Sequence, residues 1–333
     1  LLEAGGSDRN LNVRVPAAFY KNFRTERDWN YNTQPEPALG GRSLYLPRGK
    51  ALGGSHSINA MIYIRGDRAD YDGWRDDHGC DGWAWDDVLP YFKRAEHNER
   101  GPSEVHGIGG PLNVADLKVV NPNTERFVEA CGQAGIERVE DFNTGSPLGS
   151  GVLQTTQRNG ERFSVVDGYL TPAKSRSNLT VISKALALRI LFDGNRAVGV
   201  EFFDGRTVKR ASAAGEVILS AGSIASPHLL MVSGVGPADH LRENGVDPVV
   251  DLPGVGANLQ DHPVIPLIHE VTSDDTLDDA ENTVEVLKWT TRRSGRLTSS
   301  VAEGLAFMDR DGDGAADIQF HFGPAYFAKH GLE

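Results

Sequence analysis

Residues 48–66 constrain the fold more than any other part of the chain. They read Arg-Gly-Lys-Ala-Leu-Gly-Gly-Ser-His-Ser-Ile-Asn-Ala-Met-Ile-Tyr-Ile-Arg-Gly. Gly49, Gly53 and Gly54 have no side chains, so the backbone can closely approach a planar ligand or a diphosphate at these positions. Polar residues follow the glycines, and an apolar run comes after them. This order predicts a tight turn that holds the edge of a ligand against a core, with a glycine-rich surface turn as the alternative.

The charge balance and the cysteines exclude several classes of protein. The chain has 34 Lys and Arg against 46 Asp and Glu, a formal net charge of −12, which argues against binding to nucleic acid phosphates. No run approaches the roughly 20 apolar residues of a membrane span, so we expect a soluble protein. Cys80 and Cys131 are too sparse for a disulfide framework or a zinc site, which favours two reduced thiols.

The two ends of the sequence do not resemble natural domain termini. The chain opens with Leu-Leu-Glu-Ala-Gly-Gly, without an initiator Met or a targeting segment, and it ends directly after an aromatic, strand-like run. We therefore expect a fragment, and we place the protein in the cytoplasm.

Apolar periodicity predicts two helices in the first half of the chain. In residues 83–96, Trp85, Val88, Leu89 and Phe92 are spaced as on one face of a helix, with acids in the first turn and bases in the last. Residues 124–134 are expected to form a second helix.

The middle of the chain has a β texture. Asp-Gly turns separate short β-rich runs over 179–212, which predicts an antiparallel meander. A buried strand is expected at 216–222, followed by a helix with Ser226 as its N-cap and Pro227 at its first position. The N–H groups of such a helix would suit phosphate or ribityl oxygens.

Two patterns close the chain. Residues 318–322 alternate between apolar and polar side chains, as in a half-solvated sheet strand. The preceding Asp309-Arg310-Asp311-Gly312-Asp313-Gly314 begins like a calcium loop, but its twelfth position is Phe320 rather than Glu. We therefore predict a solvated acidic turn and no metal site.

Glu3 follows two leucines and precedes a pair of glycines. In dinucleotide-binding folds, an acidic residue at the tip of the second strand binds the ribose hydroxyls of the adenosine. The glycine-rich turn that accompanies it would lie upstream of Leu1. A surface glutamate at a loop entry is the alternative.

With these motifs in place, the sequence resembles the glucose-methanol-choline (GMC) family of flavin-dependent oxidoreductases. The stretch from Gly49 to Asp72 follows the first signature of that family at every fixed position except His56, where Gly, Ser or Thr is expected. Residues 222–236 follow the second signature. The opening, the 83–96 helix and residues 258–263 also look like the family, so the resemblance covers essentially the whole chain.

The resemblance implies an α/β fold of mixed α+β character. It implies an FAD-binding, Rossmann-like domain with a β-meander over 1–262, incomplete at its N-terminus and carrying lid or substrate-domain insertions around 63–155. Residues 263–333 would begin a substrate domain built on an antiparallel sheet.

The resemblance also implies which residues hold the cofactor FAD. Glu3 would bind the adenosine ribose, the backbone at Ala187 would clasp the adenine, and the segments 49–62 and 220–228 would face one flavin dinucleotide. The full set of expected cofactor residues is Glu3, Ala51, Gly53, Gly54, Ser55, His56, Asn59, Ala60, Met61, Ile62, Ala187, Ala221 and Gly222. For His56 we expect a non-covalent imidazole beside the isoalloxazine or its phosphates, because the histidine that carries covalent flavin in some members aligns nearer Ile58.

The activity that the resemblance implies is the oxidation of an alcohol to an aldehyde or ketone by hydride transfer to flavin N5. A structurally similar hydroxynitrile lyase that uses FAD only as scaffold is the alternative; a nicotinamide dehydrogenase and a calcium-dependent binding module are disfavoured. The partners would be a small alcohol and an electron acceptor such as oxygen, a quinone or a dye. The catalytic His and its His or Asn partner are expected beyond Glu333. Glu303, Phe322 and Tyr326 are substrate-site candidates, although ordinary packing explains them equally well.

Overall fold

The structure, a computed structural model, describes residues 1–272 and 275–332. None of the helices in these two ranges has the length and apolar character needed to cross a lipid bilayer. The helices, in chain order, are α1 (Leu11–Arg14), α2 (Arg68–His78), α3 (Trp85–Ala95), α4 (Pro122–Gln133), α5 (Thr171–Ala173), α6 (Gly222–Val232), α7 (Ala238–Glu243) and α8 (Thr283–Arg292). The strands are β1 (Leu2–Glu3), β2 (Tyr31–Asn32), β3 (Tyr45–Leu46), β4 (Ile62–Tyr63), β5 (Glu96–Asn98), β6 (Leu112–Asp116), β7 (Gly149–Val152), β8 (Gln154–Thr155), β9 (Gln157–Arg158), β10 (Glu161–Arg162), β11 (Ile182–Ser183), β12 (Leu186–Asp193), β13 (Arg196–Phe203), β14 (Val208–Ser212), β15 (Val235–Gly236), β16 (Val250–Asp251), β17 (Gly304–Met308) and β18 (Ile318–Phe322).

The chain divides into two compact units. The first unit contains residues 1–7, 50–52 and 177–265, and the second contains residues 8–49, 53–176 and 266–333. The chain passes from the first unit to the second between Ile265 and Pro266. The domain boundary expected at 262, and the insertions expected around 63–155, stay predictions.

The first unit contains the predicted meander. Strands β12, β13 and β14 form an antiparallel sheet in sequence order. Gly194 and Gly205, at the two turns, have φ angles of +55° and +89°, which glycine adopts without steric strain. The run at 179–183 was expected to belong to the same meander, which is wrong: its strand, β11, pairs in parallel with β1.

Two expectations for residues 216–232 are also wrong. Residues 216–220 form no strand, because no other strand of the described chain runs beside them, and Ile218 is 79% exposed. Helix α6 begins at Gly222 rather than at Ser226. The Ser226 hydroxyl instead accepts a hydrogen bond from the backbone N–H of Ala221, and Pro227 lies inside the helix.

The second unit is built on a mixed and an antiparallel sheet. Strands run in the order β4-β8-β6-β5 in one sheet and β18-β17-β7 in the other. In the antiparallel sheet, Leu305 of β17 is fully buried and packs with Leu153 and Phe307 in one apolar cluster. The combination of helices with parallel and antiparallel sheets confirms the mixed fold class, and the strand expected at 318–322 is present as β18.

The two predicted helices of the second unit are confirmed as α3 and α4. Trp85 begins α3 and is 1% exposed, while Asp86 and Asp87 lie in its first turn and Lys93 and Arg94 in its last, as the helix dipole favours. Helix α4 begins two residues before the expected position, because the side chain of Asn121 caps it and Pro122 occupies its first position.

A buried polar network lies between strands β5, β6 and β8 and the loops beside them. The imidazole of His106 contacts Glu96 through Nδ1, at 2.9 Å, and Asp141 through Nε2, at 2.8 Å. Glu96 also binds Arg65, with 3.1 Å between Oε2 and Nη2, and neither side chain is exposed beyond 1%. Because each ring nitrogen faces a carboxylate, the pKa of His106 is raised to about 9, and the pKa values of Glu96 and Asp141 are lowered.

We therefore expect the free energy of unfolding to fall as the pH rises above neutrality. The ordinary pKa of histidine is 6.5, so the stabilisation by His106 is complete below 6.5 and is lost as the pH rises through about 9. A His106→Gln variant should unfold at lower urea at pH about 6 than the wild type, and should show a flatter decline towards pH about 9. The exposed His78→Gln is the matched control. Identical pH profiles for wild type and His106→Gln would contradict the charged histidine.

Candidate functional site

The glycine-rich segment forms a short turn in the second unit. Gly53 has a φ of +88° and precedes a 3-10 turn over Gly54–Ser57. The turn closes through hydrogen bonds from the N–H groups of Ile58 and Asn59 to the carbonyl of Ser55. Ser55 is exposed, and its hydroxyl accepts a hydrogen bond from the N–H of Gly49 at 3.1 Å.

Two of these glycines are required by close contacts. A Cβ at Gly49 would lie 2.1 Å from the carbonyl oxygen of Gly54, and one at Gly53 would lie 2.4 Å from the hydroxyl of Ser57. Both distances are shorter than any real carbon contact, so a side chain at either position would displace the turn. The predicted tight turn is therefore present; Gly49 permits a close approach of backbone to backbone, and Gly53 permits a close approach of backbone to the side chain of Ser57.

A buried arginine holds the far end of the turn. The guanidinium of Arg162 donates to the carbonyl oxygens of His56 and Asn59, at 2.9 and 2.6 Å, and to Oδ1 of Asn59 at 2.8 Å. Its Nε donates to the carbonyl of Val13. Arg162 is 1% exposed, and burial together with the charge of Arg14 lowers its pKa to about 9. Among the described residues no carboxylate forms an ion pair with it.

The turn leads into a strained residue. Met61 has a φ of +60° and is fully buried, a conformation that side-chain-bearing residues adopt only when their surroundings enforce it. Oδ1 of Asn59 accepts from the N–H of Met61, and the carbonyl of Met61 accepts from the N–H of Thr156 at 2.8 Å. Ile62 then pairs with Thr155 across β4 and β8, while Ala60 packs against the larger apolar core.

Arg162 and Thr156 are the residues that sequence reasoning missed. Thr156 lies between β8 and β9, and Arg162 lies on β10, which follows the Asn159-Gly160 turn. An Asn-Gly pair between polar runs is a hairpin signal that would have located the strands. It would not have shown that Arg162 is buried beneath residues 56–59, because that contact spans about a hundred residues of sequence.

In the first unit, Glu3 and Ala51 lie on adjacent segments. Gly6, which follows β1, forms an isolated parallel bridge with the fully buried Ala51. A Cβ at Gly5 would lie 1.9 Å from the carbonyl oxygen of Lys50, so this approach requires glycine. Oε1 of Glu3 accepts the N–H of Gly5 at 2.7 Å. Burial raises the pKa of Glu3, against opposing contributions from Gly5 and Lys50.

The other cofactor candidates of the first unit occupy β12 and the start of α6. Ala187 pairs with Phe202 in the meander. Ala221 and Gly222 are exposed at the N-terminus of α6, and Gly222 has a φ of +90° with open space around its Cα. The first N–H groups of this 11-residue helix have no partner within the helix, and such groups bind phosphate oxygens in many proteins.

The GMC oxidoreductase family model matches residues 3–264. The chain belongs to the GMC oxidoreductase family. It is 44% identical over 331 residues to an oxygen-dependent choline dehydrogenase of Brucella ovis, covering 97% of this chain and 60% of the relative. The GMC chain thus spans about three fifths of the length of that relative.

Two solved structures share the fold of the GMC chain. Pyridoxine 4-oxidase from Mesorbium loti is 31% identical with a TM-score of 0.79, over 95% of this chain and 59% of that chain. A formate oxidase of Aspergillus oryzae is 27% identical with a TM-score of 0.84, over 92% of this chain and 56% of that chain. Proteins of the GMC family are FAD-binding flavoproteins, so the expected family and the expected cofactor, FAD, are confirmed.

The residues of this GMC chain fit such a cofactor. Gly54 and Gly222 have nothing within 4 Å of an added Cβ, so their backbone is open to a ligand, and hydrogen bonds from the buried Arg162 fix the carbonyl groups of the turn. The role of each individual cofactor residue stays a prediction.

The substrate-site candidates are separated within the second unit. Glu303 is 1% exposed; its carboxylate accepts hydrogen bonds from the N–H of Asn121 and the hydroxyls of Thr124 and Ser299, at 2.6 to 2.8 Å. Phe322 stacks on Phe127 with 4.9 Å between ring centroids. These contacts are those of packing residues. The roles of Glu303 and Phe322 at a substrate stay predictions.

Tyr326 is half-exposed and lines a cavity of about 390 Å³ with Tyr20, Phe327, Asp278 and Glu281. Glu281 is ion-paired with Lys21 at 2.5 Å and accepts a hydrogen bond from the hydroxyl of Tyr20. The cavity beside Glu303 is smaller, about 110 Å³. Tyr326 and Glu303 therefore face different cavities.

The acidic turn connects β17 with β18. Carboxylate oxygens of Asp309, Asp311 and Asp313 lie within 4.8 Å of one another, and Asp309 accepts hydrogen bonds from the N–H groups of Gly312 and Gly314. Phe320, at the twelfth position, lies in β18. The interpretation of this segment as a solvated turn stays a prediction.

Replacing Gly53 tests whether the turn depends on close packing. Gly53→Ala should lower the free energy of unfolding by about 2–4 kcal/mol, because the new methyl group adds overlap to the strain of a positive φ. Gly40→Ala is the matched control: its φ is +67° with nothing within 4 Å of the added Cβ, so we expect a loss of only about 1 kcal/mol. Equal losses in urea denaturation would contradict the crowded turn.

Proposed function

We propose that the protein is an FAD-dependent oxidoreductase that converts an alcohol into an aldehyde or ketone. The observation that supports this most strongly is the glycine turn over residues 49–62, held by Arg162 and matched by the GMC family model. FAD, when bound, supplies a flavin N5 that accepts hydride from the alcohol carbon. The electron acceptor would be oxygen, a quinone or an artificial dye.

The chain's own residues position the dinucleotide in this proposal. In the first unit, Glu3 would accept hydrogen bonds from the adenosine ribose, as acidic residues at this position of dinucleotide folds do. Ala187 would contact the adenine, and Ala221 and Gly222 would pack near the cofactor, with open space at Gly222. In the second unit, the residues from Gly53 to Ile62 would line the flavin and its diphosphate.

For the substrate we propose a small polar alcohol, with choline as the first compound to test. The choline dehydrogenase of Brucella ovis supports this choice. The cavity beside Tyr326 also supports it, because its aromatic rings and the carboxylate of Asp278 are groups that attract a quaternary ammonium. The carboxylate of Glu303, which holds the start of α4 through Asn121 and Thr124, is a weaker candidate for that contact.

Two measurements test the proposal. The chain should quench the fluorescence of added FAD in a saturable manner, and denaturation should release the flavin, since His56 is proposed as a non-covalent contact. Protein produced from the complete gene should then be mixed anaerobically with choline and other alcohols, and the flavin absorbance should bleach. Absence of saturable FAD binding would contradict the proposed function. Bound flavin that every alcohol leaves oxidised would favour a lyase that uses FAD as scaffold.

A further inference from the structure

His56 is the one position at which this chain departs from the first GMC signature, and its surroundings define what it offers to a ligand. The inference drawn from it rests on the proposed FAD site. His56 lies in the 3-10 turn that follows Gly53, and its side chain is partly buried.

The hydrogen bonds of Thr156 determine which nitrogen of the ring carries the proton. Nε2 of His56 lies 2.9 Å from Oγ1 of Thr156, and the same hydroxyl donates to the carbonyl of Met61 at 3.3 Å. A threonine hydroxyl has a single hydrogen. Both contacts can exist together only if Nε2–H of His56 donates to Thr156. Nδ1 then carries a lone pair.

The charges around the ring keep it neutral. Burial, and then the nearby guanidinium of Arg162, lower the pKa of His56 to about 4, while Asp167 acts in the opposite direction. Asp167 is ion-paired with Arg14 at 2.8 Å, which reduces its influence. At neutral pH the imidazole is therefore uncharged.

Nδ1 is open to a ligand. Among the described residues it has no hydrogen-bond partner, and it is not one of the buried polar atoms that lack one. Solvent therefore reaches it. A neutral nitrogen lone pair accepts hydrogen bonds and repels phosphate oxygens, which carry only lone pairs themselves.

We propose that Nδ1 of His56 accepts a hydrogen bond from an N–H or O–H group of the bound flavin dinucleotide, and that His56 does not contact the diphosphate. This narrows the sequence expectation, which placed the imidazole beside either the isoalloxazine or the phosphates. The position that carries a small residue in the family signature thus becomes an additional, specific acceptor in this protein.

The test compares FAD affinity across variants that move or remove the acceptor. In His56→Asn the amide places an acceptor near the position of Nδ1, so FAD should bind within about 2-fold of wild type. In His56→Gln the amide reaches the position of Nε2 instead, and FAD should bind about 3- to 10-fold more weakly, the loss expected for one neutral hydrogen bond. His56→Arg should also bind more weakly. The exposed His78→Asn is the control.

A second measurement reads the ring directly. Nitrogen NMR of the histidine-labelled chain without FAD should show His56 as a neutral Nε2–H imidazole from pH about 5.5 to about 8. This measurement uses the wild-type chain, so it does not require that a variant folds. A neutral Nδ1–H tautomer, or a ring that becomes charged within this range, would overturn the inference even if FAD binds.

The outcomes separate the two proposals. A wild-type chain that does not bind FAD refutes the proposed function and this inference with it. Binding by wild type with an unchanged affinity in a folded His56→Gln refutes the inference alone. Tighter binding by His56→Arg that weakens with added salt would identify a phosphate contact and would likewise refute it.

Discussion

The guanidinium of Arg162 is the interaction on which the organisation of the glycine turn depends. A buried cation is strongly destabilising unless its hydrogen bonds are satisfied. Here four hydrogen bonds join it to Val13, His56 and Asn59, and none goes to a carboxylate. Three of these hydrogen bonds end on residues 56–59. The buried guanidinium needs the carbonyl groups of the turn as acceptors, and those carbonyl groups converge because the guanidinium binds them.

The hydrogen bonds and the charge of Arg162 affect two residues of the proposed site. Asn59, fixed by Arg162, also accepts the N–H of Met61 and so supports its positive φ at the entry to β4. The same positive charge opposes protonation of His56. The turn therefore presents glycine backbone and an uncharged imidazole, which suits the uncharged parts of a flavin dinucleotide. In the proposed function the oxidation chemistry would belong to the cofactor, and the chain would contribute position and hydrogen bonding.

Local signals in the sequence predicted those turns and helices that are determined by residues close together in the chain. The Asp-Gly turns identified strands β12 to β14, and the spacing around Trp85 identified α3, because hairpin turns and amphipathic helices are determined over a few residues. Gly49 and Gly53 were interpreted as positions of close approach to a ligand; the structure shows close contacts with the chain's own atoms at both, and the approach to a ligand stays a prediction.

Features that depend on distant partners were not predictable in the same way. Residues 216–220 have strand composition, but a strand needs a neighbour, and none lies beside them in the described chain. Glu303 was a substrate-site candidate with packing as the alternative; its carboxylate binds the N-terminus of a helix about 180 residues earlier, a contact that the sequence does not show, and its role at a substrate stays a prediction. Arg162 carried no local signal. In each of these cases the structure depends on a contact with residues distant in the sequence, and the local composition does not show which residues those are.

Hydrogen–deuterium exchange with and without FAD tests most directly whether the turn held by Arg162 receives the dinucleotide. We expect saturating FAD to slow exchange at the backbone amides of residues 53–62, and to leave the acidic turn at 309–314 unchanged. FAD that binds while exchange across 53–62 stays the same would show that the ligand lies elsewhere, and would contradict the central claim.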